Sequence, residues 1–102
     1  MHDYEIEIDY HEINKQFELN GKRYNAFCSI TIFFDIDQNE DYTGRFYEPV
    51  NVDFDIGDVS LCDGNEEILE EDIPKEIMKE IKGYIDPMKW EERMVERYLE
   101  VK

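Results

Sequence analysis

The sequence predicts an α+β fold: an antiparallel β-meander of about four strands followed by two C-terminal helices packed on one face. Three observations point there. Polar and apolar residues alternate through most of the first 63 positions, the period of strands with one buried face. Asn20-Gly21 and Asp63-Gly64 supply turn chemistry between apolar-rich runs. After residue 72 the apolar spacing changes to three and four, the period of a helix. The chain has 102 residues, enough for one domain, with a sheet over 1–63 and a helical part over 72–102.

The first strand is expected over Asp3 to Tyr10, with Tyr4, Ile6, Ile8 and Tyr10 inward and Asp3, Glu5, Glu7 and Asp9 outward. A second runs over Lys15 to Leu19 and reverses at Asn20-Gly21, where both turn positions need positive φ. The long return strand puts Tyr24, Ala26, Cys28, Ile30, Ile32, Phe34 and Ile36 on one face. Phe27, Ser29, Thr31 and Phe33 lie on the other, the pattern of a central strand. Residues 37–48 read as a polar loop holding Asp37, Gln38, Asn39, Glu40, Asp41 and Gly44. Pro49 opens the fourth strand, with Val50, Val52, Phe54 and Ile56 inward and Asn51, Asp53 and Asp55 outward. Gly57 marks a bulge or bend, and Val59 and Leu61 continue the strand.

Asp72 is the expected N-cap of the first helix, with Pro74 in its first turn. Ile77, Met78, Ile81 and Ile85 form its apolar stripe, and Gly83 closes it. Asp86-Pro87 repeats the start signal. Trp90, Met94, Tyr98 and Val101 then form a second stripe at helical spacing.

Charge is the most informative feature. Asp and Glu number 27 against 11 Lys and Arg, a formal net charge of −16. Residues 24–74 hold 14 acids and one base, Arg45, while residues 75–102 hold seven of each. This excess disfavours direct binding of nucleic acid or an anionic membrane and favours a basic protein partner. No apolar run approaches the roughly 20 residues of a membrane span. The acidic start, Met1 to Tyr10, lacks the basic and apolar stretches of a signal peptide, so a cytoplasmic location is expected. Cys28 and Cys62 then read as free thiols.

In an extended strand, Glu5, Glu7 and Asp9 repeat every 6.6–6.8 Å or about that, close to the phosphate spacing along one nucleic-acid strand. Asp53 and Asp55 make a shorter row. Such rows fit a Lys/Arg groove that normally holds nucleic acid. Asp37, Glu40 and Asp41 add charge in the 37–48 segment, and Tyr42 and Phe46 are its candidate anchors, because interfaces favour aromatic anchors rimmed by charge. Phe46 and Tyr47 have a competing use, as the start of the next strand tucked into the core.

Other chemistries lack their residues. Asp35, Asp37, Asn39 and Asp41 alternate like a calcium loop, but an EF-hand needs Gly and Glu where Glu40 and Phe46 stand. Asp53, Asp55 and Asp58 have no Lys or His close in sequence for a nuclease-like Mg²⁺ site. His2 and His11 have no Cys or His at metal-ligand spacing. No phosphate loop, GxSxG or HExxH occurs. The expectation is therefore a protein that is not an enzyme and uses no metal or cofactor.

With its meander, its Asp63-Gly64 turn and its closing helical segment, this small acidic chain resembles bacteriophage accessory proteins of the anti-CRISPR and anti-defence inhibitor type. Several of these are nucleic-acid mimics. The resemblance is one of general build and carries over no individual residue. It implies an inhibitor or decoy of a basic nuclease or nucleic-acid-binding complex. The same build suits bacterial immunity proteins that neutralise basic nuclease toxins. A different class, a self-assembling structural module, would use a sheet edge or the Trp90–Met94–Tyr98 stripe to pair with a copy of itself. A small enzyme or ligand-binding protein using a concave sheet face is the third reading.

Overall fold

The computed structural model describes residues 2–42 and 44–101. The chain runs β1 (Tyr4–Leu19), β2 (Lys22–Asp41), β3 (Gly44–Cys62), β4 (Glu67–Leu69), a 3₁₀ turn (Glu70–Asp72), α1 (Lys75–Gly83), a second 3₁₀ turn (Pro87–Trp90) and α2 (Glu91–Val101). The strands form one antiparallel sheet in the order β1-β2-β3-β4, and the two helices follow it.

The turns follow their side chains. Asn20 and Gly21 take φ +53 and +77, the mirror-image turn that joins β1 to β2. At the β3–β4 turn, Asp63 Oδ1 accepts the backbone N–H of Asn65 at 2.8 Å and of Glu66 at 2.7 Å. Those two donors hold the Asp63 carboxyl below its ordinary pKa. β4 then pairs with β3 through Ser60–Leu69, Leu61–Ile68 and Cys62–Glu67.

The chain forms two compact units. The first comprises Met1–Glu7, Thr31–Asp55 and Pro87–Lys102, and the second Ile8–Ile30 and Ile56–Asp86. In the first unit, Ile6, Ile32, Phe34, Met94 and Tyr98 are buried. Tyr4 stacks on Phe34 at 5.6 Å, and Tyr98 of α2 meets Tyr4 edge-on at 5.4 Å and Tyr47 at 5.3 Å. Gln38 donates to the Tyr98 hydroxyl. In the second unit, Ile13, Phe17, Tyr24, Ala26, Cys28, Ile30, Val59, Leu61, Ile81 and Ile85 are buried. Tyr84, just past α1, meets Phe17 edge-on at 6.1 Å, with the Lys15 ammonium 4.7 Å from its ring.

Several expectations need correction. Residues 37–48 are not a loop: Asp37–Asp41 end β2 and Gly44–Glu48 begin β3. Extended backbone lets polar residues continue a strand when only one face is covered, and local polarity does not distinguish that from a loop. The expected strands over 3–10 and 15–19 are one strand, β1. Tyr10 is not inward: it is 68% exposed and stacks on Phe27 at 5.2 Å. Burial in β1 passes from Ile8 to Ile13, an odd step, so the alternation slips between them. Asp72 caps no helix. It lies in the first 3₁₀ turn, and α1 starts after Pro74 with no side-chain cap. Val101 is 51% exposed, so the α2 core contribution is Met94 and Tyr98.

β3 switches faces as well. Asn51 and Asp58 adopt φ +52 and +48. A left-handed residue inside a strand is the mark of a bulge, which shifts the inward parity. Accordingly Tyr47 and Pro49 turn inward before Asn51, Val52 and Phe54 are half-buried after it, and Val59 and Leu61 are buried beyond Asp58. The break expected at Gly57 falls one residue later.

Candidate functional site

Nine of the ten residues singled out from the sequence belong to the first unit: Glu5, Glu7, Asp37, Glu40, Asp41, Tyr42, Phe46, Asp53 and Asp55. Asp9 falls in the second. The strand segments of the first unit hold ten carboxylates and one base, Arg45, whereas its helical segment Pro87–Lys102 holds four of each sign. The charge within this unit is therefore separated, strands against helix.

Burial alternation places these acids. Ile6, Ile32 and Phe34 are buried, so Glu5 and Glu7 on β1 and Asp35 and Asp37 on β2 project from the opposite, solvent side. Asp53 and Asp55 flank the half-buried Phe54 and are themselves exposed. Along a strand such side chains repeat about every 6.6–6.8 Å, and neighbouring strands lie about 4.8 Å apart, so three strands present a grid of carboxylates.

The acids are not equivalent. Asp35 is committed to the fold: its Oδ1 accepts the Asp3 backbone N–H at 2.8 Å and its Oδ2 the Asn51 amide at 3.1 Å. Both bonds favour the ionised form and lower its pKa. Glu40 is also engaged. Arg45 Nε and Nη2 reach its Oε1 at 2.9 and 2.8 Å across the β2–β3 hairpin. Glu48 accepts from the Asn39 amide at 3.5 Å. Glu5 and Glu7 line a groove of about 530 Å³ with Ile6, Arg93, Glu96, Arg97 and Glu100. Arg93 Nη2 donates to the Glu7 carbonyl oxygen at 3.3 Å, and Arg97 pairs with Glu100 at 3.8 Å. Asp37 and Asp55 form no hydrogen bond or ion pair among the described residues, and Asp53 accepts only the Phe54 backbone N–H, at 2.8 Å. The Glu5 and Glu7 carboxylates likewise form no hydrogen bond or ion pair among the described residues, but they share their groove with Arg93 and Arg97.

The hairpin end carries the aromatics. Tyr42 is fully exposed and Phe46 is 48% exposed. Phe46 therefore does not tuck into the core, while Tyr47 does approach it through Tyr98. Sequence reasoning missed Asp35 and Glu48 on the same face, although their alternation with Asp37 and Phe46 is visible. It also missed Arg93 and Arg97, whose approach to β1 depends on where α2 docks.

Elsewhere the chain offers little chemistry. Among the described residues no group of three or more His, Cys, Asp or Glu could hold a metal ion. Both cysteines are free, and burial pushes the Cys28 thiol up to about 11. No helix of the described residues is long and apolar enough to cross a membrane. Compared with models of known protein families, with curated proteins and with solved structures, the chain matches none.

Proposed function

We propose that the chain is a non-enzymatic acidic inhibitor or decoy that binds a basic nucleic-acid-handling protein. The binding surface is the solvent side of the first unit's strands, centred on Asp37, Asp53 and Asp55, with Tyr42 and Phe46 as anchors. One observation carries the reading: the unit's excess charge lies on its strands, and the sole base there, Arg45, is tied to Glu40. A surface of this kind speeds association with a basic groove and loses affinity steeply as salt rises. An immunity protein for a basic nuclease uses the same chemistry and differs only in the identity of the target.

The test is affinity capture from a host lysate at low salt, followed by a salt gradient. The expected result is a basic nuclease or nucleic-acid-binding complex, released by salt and displaced by DNA or RNA. Recovery of the protein alone refutes the reading.

Self-assembly is the second reading. The Trp90–Met94–Tyr98 stripe does not support it, because Met94 and Tyr98 are buried within their own unit. What favours it is two exposed apolar positions of the second unit, Tyr10 stacked on Phe27 and, separately, Leu69 on β4. A stable dimer in light scattering at low micromolar concentration would support it.

A further inference from the structure

β1 is the first strand in the sheet order, so one of its edges has no strand beside it among the described residues. Successive residues of a strand turn their backbone N–H and C=O to opposite sides. The Glu7 carbonyl oxygen accepts from a side chain, Arg93 Nη2 of α2, at 3.3 Å. Glu7, and Glu5 two residues before it, therefore face the open edge, and the buried Ile6 between them faces β2. That edge is one wall of the groove of about 530 Å³. The other wall is α2, whose Arg93, Glu96, Arg97 and Glu100 recur at the three- and four-residue spacing of one helix face. From Arg93 to Glu100 this wall runs about 10.5 Å, the length of about three extended residues. The free stretch of β3 is different: Pro49 and the left-handed Asn51 and Asp58 break it, devices that stop a strand from being extended by another. Tyr4 to Glu7 carries no proline, glycine or lysine.

We propose that this groove takes an extended peptide segment of a partner protein, added to β1 as a further strand, with Lys or Arg at alternate positions. The proposal does not depend on the surface of Asp37, Asp53 and Asp55. An open edge offers backbone donors and acceptors at strand spacing, which an extended chain matches residue by residue. The Arg93 guanidinium holds the place of one incoming N–H. At 3.3 Å its bond is longer than the usual range of about 2.7–3.2 Å, so a backbone donor can displace it. The charges select the side chains. Arg97 pairs with Glu100 and Arg93 is taken up by the backbone, which leaves Glu5, Glu7 and Glu96 without an ion pair among the described residues. Glu5 and Glu7 stand two residues apart on one side of the strand, so a cation at every second position of the added strand meets both. A second copy of this chain fits poorly. Antiparallel pairing of two β1 edges about Ile6 sets carboxylate against carboxylate, and like charges directly opposite are destabilising.

The probe is a short synthetic peptide with capped ends that alternates lysine and valine, titrated into the full chain and followed by amide NMR shifts and calorimetry. Saturable one-to-one binding is expected, with the Glu5 and Glu7 amides newly protected from hydrogen exchange. The same peptide N-methylated throughout keeps its charge and cannot donate to a strand, so it should bind at least about tenfold more weakly. Glu5→Gln/Glu7→Gln should weaken binding of the unmodified peptide about three- to tenfold without lowering the thermal midpoint. Asp53→Asn/Asp55→Asn makes the same change in net charge and should weaken it less than about twofold. Equal binding of the N-methylated peptide, or equal losses in the two double variants, reduces the effect to net charge and overturns the proposal. Absence of saturable binding overturns it too, as does a wild-type dimer that excludes the peptide. None of these results bears on the surface of Asp37, Asp53 and Asp55, which is tested on a captured partner.

Discussion

Phe34→Ala tests the packing that holds the acidic strands to α2. Phe34 is 0% exposed and stacks on Tyr4, which in turn meets Tyr98. Truncating a buried Phe costs about 3–5 kcal/mol, as transfer free energy plus the cavity left behind. The ring pair with Tyr4 accounts for about 0.5–1.5 kcal/mol of that figure. A chain of this size is stable by about 5–15 kcal/mol, so the loss is a large share of the total. With a urea m-value of about 1.5 kcal/mol/M, the midpoint should fall by roughly 2–3 M. Trp90, the only tryptophan, lies in the first unit and reports the transition by fluorescence. A fall below about 0.5 M would refute the placement of Phe34 at the centre of this packing.

Three narrower outcomes follow from the same structure. Cys28 is buried with its thiol pushed up to about 11, while Cys62 is half-buried, so one thiol should react with a disulfide reagent at pH 8 and the second only on unfolding. Two equally fast thiols would contradict this. Asp63 has a depressed folded pKa, so its stabilising contribution is present above the unfolded value of about 3.9 and is lost as pH falls through the folded value. The thermal midpoint of Asp63→Asn should therefore trail wild type at pH 6 and converge with it near pH 2. Asp58→Val places a β-branched residue at φ +48 and should cost about 1–2 kcal/mol in denaturant melts. Asp55→Val, in ordinary strand backbone, should cost much less.

Much of the fold was legible because it rests on local chemistry. Asn20-Gly21 specified its turn through the φ values it tolerates. The unbroken alternation from Tyr24 to Phe34 marked a central strand, and the Ile81 and Met94–Tyr98 spacings marked helices. What escaped was set by non-local packing. The left-handed residues Asn51 and Asp58 each shift the inward parity of β3, and only their neighbours across the sheet reveal it. The strand character of Asp37–Asp41 and Arg45–Glu48 comes from pairing across the hairpin, since their side chains are those of a loop. For the site, the one-sided charge was visible in the sequence. The ion pair between Glu40 and Arg45, the tie of Asp35 to Asp3 and Asn51, and the approach of Arg93 to Glu7 were not. They separate engaged carboxylates from open ones.

The central claim is that binding is localised to the acidic strands of the first unit. It is tested most directly by two triple charge reversals with the same change in net charge. One is Asp37→Lys/Asp53→Lys/Asp55→Lys, and the other is Glu91→Lys/Glu92→Lys/Glu96→Lys on α2 and its start. Partner affinity is measured for both by titration at two salt concentrations. The strand reversal should weaken binding at least tenfold more than the helix reversal and should remove most of the salt dependence. Equal losses would show that only the net charge of −16 matters and would contradict a localised site.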